Sequence, residues 1–324
     1  MIPTFPNFKR LELTDRPDVE RFTRPYPPYS DYNFTSLWCW DVHERIAISQ
    51  LHDHLVVRFT DYESGAPFYS FLGVSDRRSC EVAERLLTQA ANEGIEPVLH
   101  LLPEHVVREL NGGKFCLEED KDNHDYILDL NAMASLQGTR FGSQRCRLHQ
   151  FHRNYPNARV VGLDLRDHCI RAAIDRVLTT WKHNKGHAVP NEEKAIERLL
   201  GLDGAARLAA ISIYIQRDLV AFAVDEQLED GYAMSHFAKA DVRVKGVYAY
   251  LHHAMAQSLQ AMGCRLVNWE QDLGIPGLRD SKRQWRPVRF LKKYRLSPDG
   301  VAQGDRHIFR LTGVSEHHRE TGEK

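Results

Sequence analysis

Residues 236–250 read HFAKADVRVKGVYAY, a basic loop between a strand and a helix. Lys239, Arg243 and Lys245 precede the helix, Gly246 admits a close backbone approach, and Tyr248 falls in the first turn. Unpaired amides at a helix N-terminus, joined by three cations, would hold a phosphate or an oxyanion. An ordinary polar β–α loop has the same composition, so both readings stay open. Two carboxylates, Glu270 and Asp272, follow the next strand, Arg265–Trp269. Beyond them Arg279, Lys282 and Arg283 share a helix, the first two as i, i+3 neighbours. Arg140 and Arg147, seven residues apart, fall on one helical face beside an apolar stripe of Phe141, Leu148, Phe151 and Tyr155. That helix reads as a connector with a basic outer face, or as a solvated linker.

Charge and composition narrow the ligand. The 324-residue chain has a formal net charge of −1, so it is not a general polyanion binder. Its basic residues are nonetheless clustered. Leu130 to Leu163 contains five arginines and no acid, and Arg279 to Arg295 contains eight basic residues and one acid, Asp280. Two basic surfaces on a neutral protein point to a local anionic ligand. The six cysteines form no CxxC pair and the 17 histidines no HExxH, so neither a disulfide framework nor a metal site is expected. No GxSxG elbow or P-loop is present. No apolar run approaches the roughly 18 residues of a membrane span. The N-terminus lacks a signal pattern. A cytoplasmic location with reduced thiols is therefore expected.

The elements that must position these residues recur in a pattern. Arg45–Gln50, Leu55–Thr60 and Pro67–Leu72 read as a three-stranded meander, as do Ala206–Ile215, Leu219–Glu226 and Gly231–Phe237. A helical stretch and a short strand follow each: Arg78–Asn92 with Pro97–Leu101, then Val247–Met262 with Arg265–Trp269. Each half begins with a strand and two helical stretches. Each is expected to close with a helix and two strands: Lys114–Leu117 with Asp125–Leu130, and Pro287–Leu296 with His307–Leu311. The order βααβββαβαββ thus appears twice. It matches the GNAT acyltransferase fold, a mixed α/β sheet flanked by helices, whose fourth and fifth strands splay apart. The expectation is two tandem GNAT-like domains, residues 1–135 and 136–324, with the cleft in the second. A helix N-terminus aimed into the gap would favour an anion there.

GNAT proteins that use acyl-CoA usually carry a Q/R-x-x-G-x-G/A loop at this point. Residues 243–248 keep Arg243 and Gly246 but place Tyr248 where the second glycine belongs, which crowds a pyrophosphate. The first-half counterpart, residues 73–78, lacks the signature and carries an acid, so that half reads as scaffold or acceptor side.

Three segments carry a resemblance. They are DYILDL at 125–130 with the basic helix after it, HFAKAD…KGVY at 236–248, and NWEQDLGIPGLR at 268–279. Together they resemble the phosphatidylglycerol lysyltransferase C-terminal domain family, over nearly the whole chain. The resemblance implies aminoacyl transfer from aminoacyl-tRNA, which in characterised members goes to a lipid head group. It implies no bound cofactor beyond that donor. The acceptor here is open: a small molecule, a peptide or a lipid head group. On this reading Glu270 and Asp272 hold an ammonium group or act as base, and His236 relays a proton. Asp272 as a helix cap and His236 as a core histidine are the competing roles. Lys239, Arg243, Lys245, Gly246, Tyr248, Arg279, Lys282, Arg140 and Arg147 would bind the donor. A CoA-dependent N-acyltransferase and a non-catalytic binding protein are the alternatives.

Overall fold

The computed structural model describes residues 1–61, 63–110, 114–185, 191–202 and 207–299. The first half runs β1 (Lys9–Arg10), α1 (Arg16–Thr23), α2 (Phe34–Trp40), β2 (Ala47–Leu51), β3 (His54–Thr60), β4 (Pro67–Gly73), α3 (Arg77–Asn92), β5 (Leu99–Pro103), α4 (Glu104–Val107), β6 (Phe115–Glu119) and β7 (Asp125–Asp129). Helices α5 (Leu130–Ser135) and α6 (Gly142–Asn154) connect it to the second half. There follow β8 (Arg159–Gly162), α7 (His168–Lys185), α8 (Glu192–Leu200), β9 (Leu208–Ile215), β10 (Asp218–Gln227), β11 (Tyr232–Ala240), α9 (Val247–Ala261), β12 (Leu266–Asn268), α10 (Pro276–Arg283), β13 (Arg289–Leu291) and β14 (Lys293–Pro298).

Local chemistry explains the boundaries. Both meanders open with a two-residue hairpin whose first turn residue, His52 or Gln216, is left-handed. Asp76 caps α3 by accepting from the Arg78 amide at 2.8 Å, and the Asp76 amide donates to the Ser79 hydroxyl at 3.3 Å. The Asn33 side chain caps α2 through the Ser36 amide, 2.8 Å away.

Among the described residues the two sheets have seven strands each and a single parallel strand pair each, β4–β5 and β11–β12. The first sheet is ordered β1-β2-β3-β4-β5-β14-β6 and the second, from its β8 edge, β8-β9-β10-β11-β12-β7-β13. The sixth place in each sheet is therefore taken by the last strand of the other half. This departs from the expected closing pairs. Lys114–Leu117 and Asp125–Leu130 lie in different sheets, and Pro287–Leu296 divides at Lys292 between the two. The expected strand His307–Leu311 lies outside the described residues. A cut between residues 135 and 136 would leave each sheet containing one strand from the far side of the cut. Alternation of apolar residues tells how a strand faces but not which sheet receives it, and β7 is buried on both faces.

Each sheet buries side chains on both faces. Val82 and Leu86 of α3 cover Val56 and Phe71, and Leu251 and Met255 of α9 cover Ala223 and Ala233. On the other face of the second sheet, Ile174 and Leu178 of α7 and Ile196 and Leu199 of α8 pack on Phe222, Val224 and Phe237. There they are joined by Cys39 and Val42 of the first half. Among the described residues no helix is long and apolar enough to cross a membrane, and all six cysteines are free.

Where the strands exchange, a fully buried ion cluster ties the sheets together. Lys293 of β14 donates to Asp125 of β7 at 2.8 Å and pairs with Asp31. Ser30 donates its amide (2.8 Å) and hydroxyl (2.6 Å) to Asp125, and Asn268 of β12 donates to the same carboxylate at 3.1 Å. Removing one member of such a buried set leaves its partners charged and unsatisfied, at about 3–5 kcal/mol. Lys293→Met should lower the urea-unfolding free energy by about that amount. A loss below about 1 kcal/mol, the scale of a surface pair, would show that the cluster does not join the halves.

Candidate functional site

Strands β11 and β12 stay paired from Tyr232↔Leu266 to Met234↔Asn268 and then part. His236 and Glu270 each lie two residues beyond the last pair and face each other across the opening, with Nδ1 3.6 Å from Oε1. Two local features aim them. Val224 pairs with Phe237 but Asp225 with Ser235, so His236 is the extra residue of a β-bulge. Glu270 is left-handed (φ 54°), and its amide is held by Asn268 Oδ1 at 2.7 Å.

The histidine is flanked by carboxylates. Its Nε2 lies 3.3 Å from Glu226 Oε2, on β10, and its Nδ1 lies 3.4 Å from the Ser36 hydroxyl. Glu226 also accepts from Asn33 (2.8 Å), Thr35 (2.8 Å) and Arg16 (3.2 Å) of the first half. Burial pulls His236 toward neutrality, but hydrogen bonds to Glu226 and Glu270 outweigh it and push the imidazole up to about 9. Burial likewise raises Glu226, and His236 with Asn33 and Arg16 reverses that, down to about 2. The two flanking carboxylates thus favour the charged form of the imidazole.

The opening leads into a cavity of about 500 Å³, within the range of small-molecule sites. Leu37, Trp40 and Phe59 wall it from the first half, and Phe237, Trp181 and Trp269 from the second. Lys282, from α10, is buried in this wall and donates to the Trp269 carbonyl. Burial lowers its ammonium to about 8, against the nearby charges of Glu270, Asp125 and Asp272. Asp31 is also on the wall; burial raises its carboxyl to about 6, with Lys293 opposing and Asp125 reinforcing the shift.

Of the residues anticipated from the sequence, the fold brings His236, Lys239, Tyr248, Glu270 and Lys282 onto the cavity wall. Lys239 turns away from a phosphate-gripping position, with its Nζ 2.6 Å from Glu192 Oε1 and 4.2 Å from the centre of the Trp181 ring. Burial holds the Tyr248 hydroxyl up at about 12.

Others lie elsewhere. Asp272 accepts from the Tyr126 hydroxyl, from Arg279 Nε at 2.8 Å and from the Gly274 amide at 2.9 Å. Burial would raise its carboxyl, but Arg279 and Tyr126 hold it low. Arg279 also reaches Asp122 at 2.5 Å. Asp272 and Arg279 therefore pin the turn before α10 and do not line the cavity. Arg243 is exposed and paired with Asp241 at 2.7 Å, and Lys245 is exposed. Gly246 (φ 82°) is required by packing: a Cβ there would fall 2.6 Å from the Arg147 carbonyl of α6. Arg140 lies in a 3-10 turn before α6, so it and Arg147 do not share one α-helix as expected. Both instead meet the segment after α10. Arg147 donates to Gln284 at 2.6 Å, and Arg286 donates to the Arg140 carbonyl at 3.5 Å.

Three wall or hub residues were not anticipated: Glu226, Glu192 and Trp181. A local sign was the pair of acids, Asp225 and Glu226, that ends the apolar run of β10. At the end of β4 in the first half, a Cβ on Gly73 would fall 2.5 Å from His54 Cδ2, so the packing of His54 requires a glycine there.

The raised His236 imidazole has a thermodynamic consequence. Its stabilisation is complete below the unfolded value near 6.5 and is lost as pH rises through about 9. That is roughly 3 kcal/mol at 1.36 kcal/mol per unit. Glu226→Gln should move the His236 titration, followed by NMR, toward lower pH and flatten stability between those pH values. An unchanged titration would remove Glu226 as its partner.

Comparison with known proteins bears on the same residues. No curated protein matches the chain at a significant level. Among solved structures, a conserved protein of unknown function from Bacteroides thetaiotaomicron VPI-5482 superposes with a TM-score of 0.77 at 24% identity, covering 92% of this chain and 100% of that one. L-PGS from Bacillus licheniformis gives 0.63 at 12% identity, covering 93% and 95%. The C-terminal domain of a proposed lysylphosphatidylglycerol synthetase from Agrobacterium fabrum gives 0.61 at 12% identity, covering 88% and 90%. At these identities the structures establish a shared fold. The sequence profile of the phosphatidylglycerol lysyltransferase C-terminal family matches residues 23–297, which include β11, β12 and the whole cavity wall. The chain belongs to the phosphatidylglycerol lysyltransferase C-terminal family, a family of acyltransferase type.

Proposed function

We propose that the protein is a cytoplasmic aminoacyltransferase built from tandem GNAT-like halves, taking its aminoacyl group from the ester at the end of an aminoacyl-tRNA. The observation that carries this reading is that Glu270 and Lys282 both stand on the wall of one largely apolar cavity, at the parting of β11 and β12. The acceptor's amine or hydroxyl adds to the ester carbonyl carbon, and the carbonyl oxygen becomes an oxyanion. Charged Lys282 supplies the donor for that oxygen. Glu270 takes the proton of the attacking group and returns it to the departing ribose oxygen as the C–O bond breaks. The His236 cation balances the Glu270 charge in the absence of substrate. Outside the cavity, exposed Arg140, Arg147, Arg283 and Arg286 gather around the end of α10, next to wall residue Lys282, and suit the phosphates of an acceptor stem.

A CoA donor is less well served. The α9 N-terminus abuts α6 through Gly246, and Arg243 is engaged by Asp241. The cation that would grip a pyrophosphate is thus already engaged, and α6 crowds the helix terminus.

The protein should deacylate or transfer from at least one charged tRNA in the presence of cell extract, and acetyl-CoA at about 1 mM should give no calorimetric signal. Absence of turnover with every aminoacyl-tRNA would refute the proposal. Lys282→Met should lower kcat by about 10²–10³-fold, the usual loss for an oxyanion donor. In the wild type the rate should fall as pH rises through about 8, where the ammonium loses its proton, and Lys282→Met should lack that descending limb. Glu270→Gln should lower kcat by about 10²-fold or more without changing the unfolding midpoint.

A further inference from the structure

Every acidic side chain on the cavity wall, among the described residues, already faces a cation of the protein itself. Asp31 pairs with Lys293, Glu192 with Lys239 at 2.6 Å, and Glu270 with His236 at 3.6 Å. The Glu192 pair is the most telling. A carboxylate beside an indole face is what proteins offer a bound ammonium or guanidinium. Here that box is formed by Glu192 and Trp181, and it is filled from within by Lys239, itself only 8% exposed. A second cation entering beside Glu192 would meet the Lys239 charge at a similar range. Attraction and repulsion would largely cancel, while the cost of stripping its water would remain. The neighbouring wall formed by Leu37, Trp40, Ile46, Phe59 and Phe237 is largely apolar and, among the described residues, adds no further carboxylate to the cavity.

We infer that the side chain of the transferred aminoacyl group is uncharged and largely apolar, and that Lys239 is the residue that excludes cationic ones; this rests on the aminoacyl-transfer reading above. The second oxygen of Glu192 has no hydrogen-bond partner among the described residues. An aromatic side chain bearing a neutral N–H or O–H donor therefore also fits that end of the cavity.

The test is calorimetry at pH 7 with the methyl esters of leucine, phenylalanine, tryptophan, lysine and arginine, which share one α-amino group. The three uncharged side chains should bind at least about tenfold more tightly than the two cationic ones, a difference of about 1.4 kcal/mol. Lys239→Met, which empties the box and leaves Glu192 charged, should tighten binding of the lysine ester by about tenfold or more. Lysine or arginine ester binding the wild type as well as the others, or no ester binding at all, would overturn the inference. Should Lys239→Met fail to fold by circular dichroism, the wild-type ranking decides alone. Apolar esters that bind while every charged tRNA stays intact would strike the transfer reading instead and leave the cavity's preference standing.

Discussion

The rest of the architecture depends on the buried cluster of Lys293, Asp125 and Asp31. Lys293 reaches it on β14, the strand the first sheet receives from the end of the chain, and Asp125 on β7, the strand the second sheet receives from the first half. A fully buried lysine with two carboxylates is costly unless its geometry is complete. Completion comes from Ser30, Asn268 and Gln271, the last donating to Ser30 at 2.9 Å and to Asp31 at 2.8 Å. Strand exchange and ion cluster are thus one constraint: the charges are satisfied only when both strands have crossed.

That constraint also sets the site. Asn268 donates to Asp125 with its amide nitrogen and accepts the Glu270 amide with its oxygen. The backbone leaving β12 is thereby turned so that Glu270 faces His236. Tyr126, next to Asp125 on β7, tracks the same turn, accepting from the Trp269 amide at 2.8 Å and donating its own amide to the Glu270 carbonyl at 3.1 Å. The cavity side of the second sheet is consequently built on a strand from the first half. Glu226 makes the reverse connection, holding His236 while being held by Asn33, Thr35 and Arg16. The cavity is a product of both halves, and neither contains it alone.

Much of the fold was legible locally. The strand runs of the two meanders and the helical stretches that follow them are set by patterns that act within a few residues. They put the repeated order of elements within reach of a single sequence. The part of the site carried by the segment after β11 and by the end of β12 was legible for the same reason. His236 on β11, Tyr248 in the first turn of α9 and Glu270 just after β12 lie beside the parting of the two parallel strands, and Lys282 reaches the same cavity from α10.

What the sequence could not determine was which charges neutralise one another. Lys239 and Arg243 look alike along the chain, yet one points into the cavity at Glu192 and the other lies in solvent against Asp241. Glu270 and Asp272 are two residues apart, but only Glu270 reaches the cavity, because the left-handed backbone at Glu270 and Leu273 and the grip of Arg279 turn Asp272 away. Gly246 was needed, though for the approach of α6 and not of a ligand. Periodicity and turn chemistry are short-range and decide elements by themselves. Coulomb pairing and strand exchange join residues more than a hundred positions apart, as Lys293 and Asp125 are, and only the tertiary structure decides them.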